Sequence, residues 1–252
     1  WWQRLNQGAV VIRRAPQFPP KMKGNHQVFS LHFAGGSASS FDFLLPHLAD
    51  HCDLVGLELP GRGRRAGETL LTTMSAATAD FTRQIIDRWN QEPFVIYGHS
   101  MGATIAGHVA EQLEGAGLYP AKLIATGDPG PAVGINRRRY LLDRPAFLEE
   151  LREMGGMPAE FFKHPSLLDH FLPILRADFE VIEGEEQLPA PTFRTPVLAI
   201  MGRAEEDVEV VDNWKRLTQT HCEIRLVDGD HFFIYDYGPR LAADLAACFA
   251  PV

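Results

Sequence analysis

In residues 94–108, FVIYGHSMGATIAGH, apolar and aromatic residues run into Gly-His-Ser-Met-Gly, and small residues follow. A free serine hydroxyl is a poor nucleophile at neutral pH. It becomes a useful one when the backbone projects it into the open and a base lies within hydrogen-bond reach. A G-x-S-x-G sequence between a buried strand and a helix meets the first condition, because the sharp turn lifts the serine above the sheet. Gly98 and Gly102 suit that turn, since a side chain at either place would collide with the neighbouring strand or helix. Ser100 is therefore the candidate nucleophile, and a helix starting at Met101 turns its positive dipole end towards any oxyanion formed there. The five-residue pattern alone also occurs in ordinary glycine-rich turns; the strand before it and the helix after it give it chemical meaning.

In this order of elements the base lies late, beyond the last strand. RLVDGDHFFIYD (225–236) puts His231 in a loop between a strand expected over 223–229 and the C-terminal helix. His108 and His170 read as packing histidines on helices, and His99 as one packed beside the turn. An acid must orient the imidazole and stabilise its cation. RAEEDVEVVDNW, after the strand expected over 197–202, offers Glu205, Glu206, Asp207 and Asp212. Asp207, just before the expected helix, is the favoured acid; capping that helix is the plain alternative for the whole group. Asp128, after the strand LIATG, is the rival. An oxyanion hole needs two backbone N–H groups, one after the nucleophile and one from the first strand-to-helix loop. Met101 supplies the first. In LHFAGGSASSF (31–41) Ala34 is the expected second donor, beside glycines that permit close backbone approach.

These residues need a scaffold, and the chain alternates short apolar runs with longer helix-like segments. Strands are expected at 28–33, 53–59, 94–98, 122–127, 197–202 and 223–229, each too short for a helix and most ending at Gly or Pro. Helices are expected at 39–49, 74–89, 101–114, 208–218 and 239–249. Such alternation implies an α/β fold with a mostly parallel sheet covered on both faces. From about 135 to 188 no strand is evident, and RPAFLEELREMGG and SLLDHFLPILRADFEVIEG read as amphipathic helices. An insertion of that length is commonly a lid or a binding element. One domain, 1–252, carrying a helical lid over roughly 135–188 is the expectation.

Composition narrows the function classes. At 252 residues with a net charge of −8, the chain can bury a sizeable core and is a poor general binder of nucleic acid. No apolar run is long enough to span a bilayer, and the opening WWQRLNQG has no apolar signal region. The first residue is not Met, so the N-terminus of the protein is expected upstream. Three scattered cysteines fit reduced thiols in the cytoplasm better than a disulfide framework. No H-E-x-x-H pair occurs, and neither a metal nor a cofactor is expected.

With these parts placed, the chain resembles the type II thioesterases of the α/β-hydrolase superfamily, the stand-alone editing enzymes of polyketide, nonribosomal peptide and related fatty acid synthases. The resemblance rests on HFAGGSASSF, LPGRGRR, YGHSMGA, MGGMPAEFF, LPILRADFEVIE and GDHFFI, and spans nearly the whole chain. It implies an α/β-hydrolase sheet with an inserted helical lid. It carries a serine, acid and histidine onto Ser100, Asp207 and His231, and oxyanion donors onto Ala34 and Met101. It also implies hydrolysis of acyl thioesters held on the phosphopantetheine arm of an acyl or peptidyl carrier protein, by a monomer.

Arg62, Arg64 and Arg65 in PGRGRR, and Arg137, Arg138 and Arg139 in NRRRY, could form a basic rim that steers an acidic carrier. Ordinary solvated charge is the competing reading of both runs. The competing functions are a carboxylesterase or lipase acting on oxygen esters, a terminal cyclising thioesterase domain using Asp128, and a non-catalytic binding scaffold.

Overall fold

A computed structural model describes residues 26–48, 51–131, 137–155, 159–186 and 188–250. The opening segment, Ala49 and the expected start of the insertion at 135 lie outside these residues. All six expected strands form: β1 (Gln27–Leu31), β2 (Asp53–Gly56), β3 (Phe94–His99), β4 (Lys122–Thr126), β5 (Val197–Gly202) and β6 (Cys222–Val227). They make one sheet in the order β2-β1-β3-β4-β5-β6, with every neighbouring pair parallel. Between the strands run helices α1 (Leu45–Leu48), α2 (Met74–Arg88), α3 (Met101–Gly115), α4 (Arg144–Glu153), α5 (Pro165–Glu183) and α6 (Trp214–Leu217), and α7 (Gly238–Ala247) follows the last.

A parallel sheet must be covered on both faces, so β1, β3 and β5 are buried along their whole length and their alternate residues enter opposite cores, while the edge strands β2 and β6 are less covered. In β3, Phe94 and Ile96 join the core beneath α2 and α3, whereas Val95 and Tyr97 join the one beneath α1 and α7. In β5, Val197, Ala199 and Met201 face the first core, and Leu198 and Ile200 the second. The chain leaves β1 to one side for β2 and returns to the other side for β3. The crevice at the carboxyl ends of β1 and β3 is thus the switch point at which open α/β sheets hold their ligands.

Between β4 and β5 there is no strand among the described residues, and a third, smaller core forms instead. Phe147 and Leu151 of α4 pack on Phe161 and on Leu168, Leu172, Leu175 and Phe179 of α5. The α5 residues recur at the three-and-four spacing of one helix face. Asp143 caps α4 by accepting the Ala146 N–H at 2.9 Å.

Two expected helices come out shorter. In place of 39–49 there is a 3-10 turn at Asp42–Leu44 followed by the single turn α1. Ser40 accepts the Ser37 N–H at 2.8 Å, and Ser37 and Ser39 share a hydrogen bond at 3.1 Å, local bonding that competes with a helix. In place of 208–218 a 3-10 stretch, Val208–Asn213, precedes α6; Val208, Val210 and Val211 are β-branched and hold back α-helix formation. The third core generates one expectation: Phe147→Ala, which empties a fully buried ring site, lowers stability by about 3–5 kcal/mol in urea denaturation.

Candidate active site

The turn after β3 is built as the glycines require. A Cβ on Gly98 would strike the Gly102 carbonyl, and one on Gly102 would strike the Leu31 carbonyl of β1. Between them Ser100 takes φ 54° and ψ −124°, a conformation that costs a non-glycine residue of order 1–3 kcal/mol. Its N–H donates to the Thr126 carbonyl of β4 at 2.8 Å, which ties the strained residue to the sheet. The Ser100 side chain makes no cap bond to α3. Its Oγ instead lies 2.9 Å from His231 Nε2.

His231 sits in the loop after β6, as its place in the sequence predicts. That loop is laced to the one after β5: the Arg203 N–H donates to the Val227 carbonyl at 2.8 Å and the Ala204 N–H to the Gly229 carbonyl at 3.1 Å. The lacing brings Glu205, not Asp207, to the imidazole. Glu205 Oε2 is 2.7 Å from His231 Nδ1, and its Oε1 accepts the Gly202 N–H at 2.7 Å. The Glu205 side chain is only 3% exposed. The expectation for Asp207 is corrected: its carboxylate is 40% exposed and lies 3.7 Å from Arg137. The chain passes Asp207 with a left-handed backbone (φ 61°) as it enters the 3-10 stretch, which carries the side chain away from the histidine. Glu206 pairs with Arg137 at 2.6 Å and is more exposed still. Spacing held the usable signal, since Glu205 is three residues beyond the last residue of β5 and can fold back onto its N–H.

His99 packs beside the turn and makes no contact that would suit a base. Its Nδ1 meets Thr126 Oγ1 at 2.9 Å, and its buried Nε2 has no partner among the described residues. Burial, reinforced by the neighbouring His231, holds its pKa well below the ordinary value, so it stays neutral. Its ring lies 5.0 Å from that of His231. Asp128 makes no hydrogen bond to His231; it accepts from Thr104 Oγ1 and from the Gly130 N–H, each at 2.7 Å. Burial pushes its carboxyl up to about 6 despite those bonds.

Ser100 and His231 open onto a pocket with a volume of about 50 Å³. Phe33, Ala34 and Gly35 form the wall on the β1 side, and Leu151, Leu175 and Phe179 of the inserted helices form the roof. Ala34 thus borders the same pocket as Ser100. Met101 buries its side chain in the core, and its N–H, the first of α3, has no acceptor within the helix.

The arginine runs divide. Arg62 is 5% exposed and forms a bidentate pair with Asp178 of α5. Arg65 holds Asp80 and Glu68, and Arg139 is buried against Glu183 with its guanidinium 4.5 Å above the Phe179 ring. The expectation of a docking role is corrected for these three, because carboxylates of the chain itself already pair their charges. Arg64, Arg137 and Arg138 remain exposed.

Comparison with known proteins decides the family. A sequence model of the thioesterase domain matches residues 26–247. The chain belongs to the thioesterase domain family. Thioesterases hydrolyse acyl thioesters, and the parallel sheet with flanking helices is the α/β-hydrolase frame expected of one. Among its relatives, thioesterase PikA5 of Streptomyces venezuelae is 29% identical, the match covering 93% of this chain and 84% of that one. A protein of Brevibacillus parabrevis called linear gramicidin dehydrogenase LgrE is 30% identical, over 89% and 88%. The solved structure of YbtT, a type II thioesterase from the yersiniabactin NRPS/PKS biosynthetic pathway, is 30% identical with a TM-score of 0.78, over 92% and 97%.

Two expectations follow from the thioesterase site. Glu205→Gln lowers kcat by about 10³–10⁴, the scale set by loss of a histidine-orienting carboxylate, whereas Asp207→Asn stays within about threefold, both read by thioester hydrolysis. The second concerns pH. A carboxyl whose pKa is raised on folding adds stability that is full below its ordinary 3.8 and lost as pH rises through about 6. Asp128→Asn escapes that loss, so its Tm gains on wild type between about pH 4 and pH 7.5 in thermal denaturation.

Proposed function

We propose that this thioesterase is a stand-alone, type II editing enzyme that removes acyl groups from the phosphopantetheine arm of acyl or peptidyl carrier proteins, using Ser100, His231 and Glu205. The observation that carries the catalytic part is the unbroken hydrogen-bonded line Ser100 Oγ–His231 Nε2–His231 Nδ1–Glu205 Oε2, at 2.9 and 2.7 Å, with its serine end at the pocket. The names of YbtT and PikA5 support the biosynthetic setting.

In this reading Ser100 Oγ attacks the thioester carbonyl carbon while His231 Nε2 takes its proton. The Ala34 and Met101 N–H groups hold the oxyanion. The C–S bond then breaks, and the proton passes from His231 to the departing thiolate, leaving the acyl group esterified on Ser100. Water, deprotonated by His231, attacks that ester; the acid leaves and Ser100 recovers its proton. Glu205 keeps the imidazole in the tautomer that presents a bare Nε2 to serine and stabilises the cation formed in each half-reaction. Helices α4 and α5 act as the lid that shelters the acyl group. In this reading the enzyme works as a monomer in the cytoplasm, whose reducing poise suits its three free cysteines.

The name of LgrE raises hydride transfer as a second reading, and GRGRRA (61–66) has the spacing of a dinucleotide-binding turn. That turn requires a helix opening onto the phosphates, whereas here a 3-10 turn at Gly63–Arg65 sends Arg62 and Arg65 inward and α2 starts only at Met74. Hydrolysis is favoured on that ground.

Intact-mass measurement of acyl-loaded carrier proteins tests the proposal. Wild type returns the free phosphopantetheine form, and Ser100→Ala leaves the acyl group in place; equal deacylation by both would exclude Ser100 as nucleophile. For docking, Arg137→Glu with Arg138→Glu raises KM for the acyl carrier but leaves KM for a small acyl thioester unchanged. An equal rise for both substrates removes these arginines from the interface.

A further inference from the structure

Asp178 lies in the middle of α5, is fully buried, and satisfies all of its charge with three hydrogen bonds. Arg62 Nη2 donates to Oδ1 at 2.7 Å and Arg62 Nη1 to Oδ2 at 2.6 Å. The third donor is the backbone N–H of Gly35, 2.7 Å from Oδ2. Gly35 directly follows Ala34 in the loop after β1. That loop turns back on itself through the Gly36 N–H, which donates to the Phe33 carbonyl at 2.9 Å, and Gly35 has φ +74°. Arg62 Nη1 also reaches the Gly36 carbonyl at 3.4 Å. A Cβ added to Gly35 would lie 2.6 Å from Leu175, one turn before Asp178 in α5 and part of the pocket roof.

A buried carboxylate and guanidinium cost several kcal/mol each in lost hydration, so such a pair is rarely kept for stability alone. Here it has a geometric consequence. The peptide plane next to Ala34 is fixed by an oxygen of the inserted helix, and a bidentate fork from the β2–α2 connection fixes that oxygen in turn. The loop carrying the oxyanion donor and the helix roofing the acyl pocket therefore share one anchor.

We propose that Asp178 and Arg62 are positioning residues that hold the Ala34–Gly35 loop in its oxyanion-binding geometry and make that geometry conditional on the seating of α5. The pair touches no reacting atom; it acts through the Gly35 N–H. A substrate that lets α5 settle over the pocket meets a formed oxyanion hole, and one that holds α5 away meets a loop whose N–H groups are misaligned. The inference rests on the reading of Ser100 as nucleophile and Ala34 as oxyanion donor.

Asp178→Asn keeps the shape of the side chain and weakens the anchor. With a small acyl thioester as substrate, kcat falls by about 10², the scale of one misplaced oxyanion donor, while KM stays within about threefold. A trifluoromethyl ketone, which adds to serine and places an oxyanion in the same site, loses affinity by a similar factor, whereas the carboxylic acid product binds as before. A merely structural loss would lower active enzyme without separating these ligands. The double variant Arg62→Met with Asp178→Leu replaces the pair by apolar groups of similar size, a change that buried ion pairs commonly tolerate. It is expected to remain folded by circular dichroism and to show the same kcat deficit.

Wild-type kcat in either folded variant, or a loss confined to KM, overturns the proposal. So does failure of both variants to fold, which would make the pair a requirement of the fold and not a positioning device. Ser100→Ala separates this from the underlying reading. If it stays active, the nucleophile is wrong whatever Asp178 does; if it is inactive while Asp178→Asn is unimpaired, only the positioning role fails.

Discussion

The site depends on one backbone constraint, the turn in which Ser100 holds a positive φ between two glycines that admit no side chain. Gly98 and Gly102 let β3, the first turn of α3 and the end of β1 approach closely enough that any Cβ would meet a carbonyl oxygen. That closeness keeps the serine from relaxing into an ordinary helix cap, and its hydroxyl points to the histidine instead. The strain is offset by neighbours that would exist anyway: β4 supplies the Thr126 carbonyl for the Ser100 N–H, and the sheet is buried on both faces. Because β1 and β3 are adjacent and the chain reverses its winding between them, the loops after both strands fall on the same crevice. Ser100 and the Ala34–Gly35 loop are thereby brought together by topology before any side chain contributes.

Electrostatics then completes the arrangement at two levels. At the pocket, His231 is placed between a hydroxyl and a nearly inaccessible carboxylate, and His99 beside it is kept neutral, so it adds no second cation next to that imidazole. Further out, buried arginine–carboxylate pairs hold the inserted helices, one of them to the hydrolase frame and the other within the insertion itself. Arg62 with Asp178 joins α5 to the loops after β1 and β2, and Arg139 with Glu183 joins its far end to the 3-10 turn at Arg139–Leu141. A roof held by a few directional contacts over a small apolar core can be exact where it meets the substrate and still be separable from the sheet.

Much of this was legible in the letters, and for physical reasons. Buried parallel strands must be short apolar runs, and all six were found to within a few residues of their ends. Ser100 and His231 were readable because each occupies a place that the order of elements defines. The acid was not, since four carboxylates lie within eight residues after β5 and only the lacing of that loop to the histidine loop selects Glu205 over Asp207. The arginines misled for the opposite reason: a run of positive charge normally faces water, and their buried partners at 80, 178 and 183 are distant in sequence. The helices expected at 39–49 and 208–218 were shortened by local serine bonding and β-branching, effects that a count of apolar spacing does not weigh.

Rapid quenching during turnover of an acyl thioester, followed by peptide mass mapping, tests whether the acyl group passes through an ester on Ser100. An added acyl mass is expected on the peptide containing Ser100 in the wild-type protein and none in Ser100→Ala. Turnover with no acyl mass on that peptide, or with the acyl mass on another residue, would contradict that route.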